Sequence, residues 1–391
     1  EIDGHLAKFR RKGARVLPCH WWIPFPYRYD SIHVYTFRTT SYIYPPFFAV
    51  LMRPLAMLPW ESARLIWFVG NSVLLGVCLG QLGRWINASW KRIVVTISVC
   101  FMIPAFYDTL LLGQINIILL ALLLLHFRSL EQAQTARSRI LSGMILGITA
   151  GIKIFPVFFA IPLMLRRQWA ACVGVCLGGI ATLGIGMIGS GTTATTIQFV
   201  QDILLGLEGT NIADQSVWDV MGRLFEPHTF TYAYQSATNK VTVTLQPLID
   251  AGWVGTLIGT MIFLLIIGVT IRTRVQQRSY TNTQSIWLDG SMSIILVMLF
   301  LPVVHDHYLS LLLIPGFTMI RYGADWVWSK PQYLMIGGLI LGALILQRYW
   351  RVLLNIYPSP LVLAWGFLAT SLLWGMYLYW QRNGPITESQ K

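Results

Sequence analysis

The chain has 391 residues, 55% of them hydrophobic and only 12% charged, with a mean hydropathy of +0.59. These proportions exclude a soluble globular domain and fit a chain that crosses a membrane several times. The formal net charge of +13 does not point to nucleic acid, because Lys and Arg stand in small groups at the ends of apolar runs, the pattern of loops that orient a membrane protein.

Residues 1–44 are polar and aromatic, without an apolar run of span length, and are expected to be an extracytoplasmic or interfacial segment. The sequence opens on Glu1 rather than Met and has no positive-then-apolar signal pattern, so a first transmembrane helix is expected upstream. Tyr44-Pro45-Pro46 begins an apolar stretch that ends at Leu58. It is shorter than the roughly 20 residues a spanning helix needs, and reads as interfacial or re-entrant. The first spans are expected at 61–83, 93–106 and 115–125, the last with an apolar flank at 110–112.

The apolar run 140–165 is interrupted by Gly151-Ile152-Lys153-Ile154-Phe155-Pro156. It reads either as one kinked helix or as two segments meeting at a polar break. The span at 170–188 is glycine-rich and suited to close helix packing. Residues 190–248 form the longest polar region, expected to be an extracytoplasmic loop. Further spans follow at 251–271, 286–301, 309–320, 334–346 and 361–380, ahead of a cytoplasmic tail at 383–391. The expected fold class is an all-α polytopic membrane protein, with one transmembrane domain over 45–382 and about nine to eleven membrane segments.

Basic groups at Arg84/Lys91/Arg92, Arg128/Arg137/Arg139, Arg166/Arg167, Arg272/Arg274/Arg278, Arg321/Lys330 and Arg382/Lys391 mark one face as cytoplasmic. Arg348 and Arg351 are exceptions. The polar interruptions then collect on the opposite face. They are Tyr44, Tyr107-Asp108, Gly113-Gln114-Ile115-Asn116, Lys153, the run 211–223 and His305-Asp306-His307. Of the five cysteines, Cys19, Cys78, Cys100, Cys172 and Cys176, none is spaced as a metal or redox pair.

Each interruption has two readings. Lys153 either snorkels to the interface or meets a phosphate. Asn116 either caps a helix or, with Gln114, offers amide donors and acceptors to sugar hydroxyls. The stretch around Asp214-Gln215-Ser216 and Arg223 is either an amphipathic surface helix, since Val217, Val220 and Met221 have helical spacing, or part of a sugar site. Two histidines two residues apart are weak evidence for a metal. General acid–base work or stabilisation of a leaving phosphate by His307, with Asp306 as a neighbour that orients the imidazole, is the sharper reading.

Taken in order, these fragments resemble the polyprenyl-phosphate-mannose-dependent mannosyltransferases of the GT-C superfamily, glycosyltransferase family 87. The fragments are Tyr44-Pro45-Pro46 with Arg53-Pro54-Leu55-Ala56, Gly113-Gln114-Ile115-Asn116, Gly151 through Pro156, Asp214-Gln215-Ser216 with Arg223, and Pro302 through Tyr308. The resemblance implies a GT-C-like bundle and an inverting transferase that uses a polyprenyl-phosphate sugar donor at the extracytoplasmic face. The acceptor would be a lipid or glycan, and no metal, cofactor or nucleic acid is expected. An aspartate of the first outer loop would take the acceptor proton, with Asp3 and Asp30 as its candidates here or its place upstream of Glu1. His307 joins them as a catalytic candidate. Tyr44, Asp108, Gln114, Asn116, Lys153, Gln215, Ser216, Arg223 and Asp306 are expected to bind substrate. A transporter or flippase using Lys153 and broken helices, or a catalytically inactive homologue, are the other readings.

Overall fold

The computed structural model describes residues 44–89, 91, 94, 103–190, 193–200, 214–233, 240–276, 282–301, 304–328, 331–349, 353–354 and 359–383. Helix α1, Pro46–Ala56, opens on a proline, whose missing N–H is no loss in a first turn. Helix α2 covers Trp60–Trp85. Helices α3, Pro104–Leu111, and α4, Asn116–Glu131, meet at a bend of 116°. Gly113 makes the turn between them at φ 64°, a left-handed conformation open to glycine.

Helix α5, Ala136–Ile152, is started by a reciprocal cap in which Thr135 and Ser138 each accept the other's backbone N–H. A 3₁₀ turn at Phe155–Phe159 and the short α6, Ala160–Leu165, follow it. The run 140–165 is therefore two segments joined at Lys153 rather than one kinked helix. Helix α7, Trp169–Ser190, lies along α5 in the most extensive helix pair of the fold. The pairing is backbone on backbone. A Cβ on Gly143 would lie 2.0 Å from the carbonyl oxygen of Ala171, and one on Gly174 would lie 2.0 Å from that of Ile140.

Helices α8, Thr193–Gln198, and α9, Val217–Phe225, come next. An antiparallel hairpin of β1, His228–Ala233, and β2, Lys240–Leu245, lies within the polar region 190–248 of this otherwise helical fold. The remaining helices are α10, Gly252–Gln276, α11, Asn282–Phe300, α12, Leu313–Trp328, α13, Pro331–Leu346, and α14, Trp365–Asn383. A 3₁₀ segment, Asp306–Leu312, links α11 to α12.

Among the described residues four helices are long and apolar enough to cross a membrane: Trp60–Trp85, Trp169–Gly189, Gly252–Arg274 and Thr283–Phe300. The bent α3–α4 pair makes a fifth if taken as one span. Pro46–Ala56, Phe155–Leu165 and Pro331–Leu346 are shorter apolar helices. Most of the expected segments thus reappear as helices, but 3₁₀ turns and sharp bends leave many below full span length. The expected span at 93–106 lies largely outside the described residues.

Helices α4 and α11 form the centre. Ile117, Leu119, Leu120 and Leu123 of α4 are completely buried, as are Leu288, Ile294, Ile295, Met298 and Leu299 of α11. Helix α10 instead exposes Leu257, Met261, Leu264 and Leu265, a face suited to lipid. At one end of the bundle Asp289 of α11 accepts from both Arg166, just after α6, and Arg274 of α10, the latter at 2.9 Å. This clasp gathers three segments, and the arginines at 128, 137 and 139 lie on the same end of α4 and α5.

Candidate functional site

At the opposite end, where α4 starts and α5 stops, the polar interruptions converge. Helix α5 ends because Lys153 turns extended, at φ −148° and ψ 130°, and Pro156 lacks the N–H to continue the ladder. Lys153 is 9% exposed. Its ammonium lies 3.6 Å from the centre of the Tyr308 ring, 5.7 Å from that of Tyr44 and 5.8 Å from that of Phe155. Phe155 in turn stacks on Tyr308 at 5.5 Å. Asn116 Oδ1 is 3.5 Å from the ammonium, a long contact. Among the described residues no carboxylate comes within ion-pair distance of Lys153.

The Gly113-Gln114 turn supplies a second wall. The Tyr44 hydroxyl donates to Gln114 Oε1 at 2.8 Å, and Trp67 Nε1 donates to the Gly113 carbonyl at 3.0 Å. Asn116 does not cap α4. Ile115 occupies that position, and Asn116 points its amide oxygen at Lys153. Asn116 is fully buried, and its Nδ2 has no acceptor among the described residues. A buried amide left in that state is poised for an incoming acceptor atom.

The third wall joins two stretches far apart in sequence. The Gln215 N–H donates to the Val304 carbonyl at 2.8 Å, and His305 Nδ1 lies 2.5 Å from Asp214 Oδ1. The Gln215 side chain reaches the start of α14. Its Nε2 donates to the Leu363 carbonyl at 2.9 Å, and its Oε1 accepts from the N–H groups of Gly366 and Phe367 at 3.0 and 3.2 Å. Ser216 caps α9 by accepting the Asp219 N–H at 3.2 Å. Buried Arg223 donates to the Asp214 carbonyl at 2.8 Å. Gln215, Ser216 and Arg223 therefore shape the wall that carries Asp214. Helix α9 is also the amphipathic helix of the alternative reading, with Val217, Val220 and Met221 all buried.

Asp306 does not serve His307 as the sequence suggested: Gln347 Nε2 donates to its Oδ1 at 2.9 Å. Asp108, on α3, belongs to a helix that packs against the Asp306–Leu312 turn. Burial pushes the Asp306 carboxyl well above the usual carboxylate range, and the nearby charges of Asp108 and Asp214 push the same way. His307 is driven the other way, well below an ordinary imidazole, by burial first and then by His305 and Lys153. The Lys153 amine beside it is likewise pulled well below its ordinary range by burial, so its charged form is held only at a cost. Asp219 is raised to about 6 by burial and by Asp214.

The structure thus brings Tyr44, Gln114, Asn116, Lys153, His307 and Tyr308 into one cluster, with Asp214 and His305 adjoining it. Tyr308 and Gln347 were not singled out by the sequence reading. Tyr308 was visible as the aromatic after the two histidines, but nothing in sequence marked Gln347 as a partner of Asp306. Asp3 and Asp30 lie outside the described residues, as does Pro302. Chemically, a buried lysine amine without an ion-pair partner among the described residues, an amide donor and an aromatic wall can together contact an anion.

The family model for glycosyltransferase family 87 matches residues 42–304. A curated relative in Mycolicibacterium smegmatis, named polyprenol-phosphate-mannose-dependent alpha-(1-2)-phosphatidylinositol pentamannoside mannosyltransferase, is 27% identical over 168 residues, covering 41% of this chain and 39% of the relative. A protein of the same name in Mycobacterium tuberculosis is 28% identical over 171 residues, covering 41% of this chain and 38% of that protein. The match thus spans about two-fifths of the length of these relatives. No solved structure matches.

Proposed function

The chain belongs to glycosyltransferase family 87, and from that premise we propose that it transfers a sugar, mannose by analogy with its relatives, from a polyprenyl-phosphate donor to a hydroxyl of a lipid or glycan acceptor. The transfer inverts the anomeric carbon and takes place at the extracytoplasmic face of the membrane. The observation that carries the reading is the buried ammonium of Lys153, which has aromatic and amide neighbours and, among the described residues, no carboxylate in ion-pair reach. A phosphodiester supplies the missing anion. Neutral His307 and the Asn116 amide would complete its hydrogen bonds, and Tyr44, Phe155 and Tyr308 give the sugar an aromatic surface. The facing is supported by the arginine groups at the other end of the bundle.

The test is transfer by the full-length protein, purified in detergent, from radiolabelled polyprenyl-phosphate mannose. Phosphatidylinositol mannoside, after the relatives' name, and an alkyl mannoside serve as probe acceptors. A labelled product with released polyprenyl phosphate is expected. Donor that binds but is never consumed would refute transfer and favour a carrier.

A further inference from the structure

The turn that carries His307 and Tyr308 is 3₁₀ from Asp306 to Leu312. Such a helix has three residues per turn, so successive side chains stand about 120° apart and every third one returns to the same face. His307 and Tyr308 occupy two of these faces and are buried. Their ring centres are 4.9 Å apart, and the Lys153 amine lies 3.6 Å from that of Tyr308. The third face carries Asp306 and Leu309.

That third face rests on one point, the start of α14. Gln347 directly follows α13, is 1% exposed, and donates from Nε2 to Asp306 Oδ1 at 2.9 Å. Its Oε1 accepts the Gly366 N–H at 3.3 Å, and the same N–H is shared with Gln215 Oε1 at 3.0 Å. Leu309 meets Gly366 itself, since a Cβ on that glycine would lie 2.7 Å from Leu309 Cδ1. The chain just before the turn ends on the same anchor, because the Val304 carbonyl accepts the Gln215 N–H at 2.8 Å. Each of these bonds has ordinary length. Together they leave the turn one rotation about its own axis.

We infer that Gln347 is a positioning residue: through Asp306 it sets the rotation of the 3₁₀ turn and so keeps His307 and Tyr308 toward Lys153. This deepens the transferase reading above and rests on it, because the donor phosphate is the ligand the cluster would take. Slippage has a specific consequence. A rotation by one residue would bring Asp306 to the place of His307 and turn a carboxylate toward the lysine. The protein's own side chain would then compete with phosphate for that amine. Gln347 holds the competitor away by giving it a different donor.

The experiment measures equilibrium binding of polyprenyl-phosphate mannose to full-length wild type, Gln347→Ala and Gln347→Glu in detergent, with thermal unfolding and the transfer assay in parallel. Gln347→Ala is expected to bind donor about tenfold more weakly. Gln347→Glu sets two carboxyl groups side by side, which share a proton in acid and repel once both are ionised. Its donor affinity relative to wild type at the same pH is expected to be within about threefold at about pH 5.5 and about tenfold lower at about pH 8.5. An amide that only fills space would not give this pH-dependent ratio, and the ratio stays measurable should Gln347→Ala fail to fold. Wild-type donor affinity in Gln347→Ala, or a Gln347→Glu ratio that is the same at both pH values, overturns the assignment and leaves the transferase reading standing. A wild type that binds no donor and transfers no sugar overturns both.

Discussion

The ammonium of Lys153 stands over the ring of Tyr308, 3.6 Å from its centre. Such a contact contributes about 0.5–2 kcal/mol, whereas withdrawing an ammonium from water has an effective penalty of several kcal/mol. Aromatic neighbours therefore leave a deficit that an anion would offset. Lys153→Met keeps the length and removes the charge. It should weaken binding of polyprenyl-phosphate mannose by about 1.5–3 kcal/mol while raising the melting temperature of the substrate-free protein. Unchanged donor affinity in the folded variant would reduce Lys153 to a packing residue.

The facing of the site can be read by labelling in intact cells. Tyr107 is exposed at the site end, and Arg137 is exposed at the other. In a cysteine-free background, Tyr107→Cys should react with an impermeant thiol reagent added outside. Arg137→Cys should react only after the membrane is opened. The reverse pattern would invert the topology and remove the extracytoplasmic assignment.

Gln215 holds three backbone groups at the start of α14. Gln215→Ala leaves buried donors and an acceptor short of partners, and should destabilise the protein by about 2–4 kcal/mol. Thermal unfolding in detergent measures this. A melting temperature equal to that of the wild type would show that water replaces the amide at no cost.

The contact between α5 and α7 tolerates no side chain at its closest points. Gly174→Val would drive a Cβ into the Ile140 carbonyl, and overpacking of this kind costs typically about 1–3 kcal/mol, more where backbone must move. Loss of monodisperse protein on extraction is the expected result. Gly179→Ala, at a position with open space around its Cβ, should be harmless.

His307 carries a pH signature. Its folded-state affinity for protons lies below that of the unfolded chain, because burial, His305 and Lys153 all oppose the charge. As pH falls below about 6.5, the unfolded chain binds a proton that the folded protein refuses, so stability is lost on acidification. The drop in melting temperature between pH 7.5 and 5.5 should be smaller in His307→Gln. Equal drops would mean that His307 is not responsible.

Much of this architecture was legible in the chain. The break at Lys153 was flagged by a glycine and a proline around a charge in an apolar run, and backbone chemistry alone requires it there. The glycines of α7 announced a tight partner, though not which helix it would be. The hairpin was missed, although Thr229-Phe230-Thr231-Tyr232 and Val241-Thr242-Val243-Thr244 alternate as strands do. What sequence could not give is pairing at long range. Gln215 bonds to backbone atoms, which leave no residue-type signal, and Asp214 finds His305 only once α11 has been placed. Asp306 beside His307 suggested a local couple, but the chain turns between them and sends each side chain to a different neighbour.

The glycine seam has a further meaning for the way the site can respond. Because α5 lies with its main chain against that of α7, the stalk that presents Lys153 cannot slide or tilt without parting two backbones. Adjustment to an arriving donor must then come from the four side-chain torsions of the lysine itself, swinging about a fixed root above Tyr308. The donor would meet a stiff socket with a single pliant finger. Its selectivity would be set by reach and angle rather than by closure of one helix upon another.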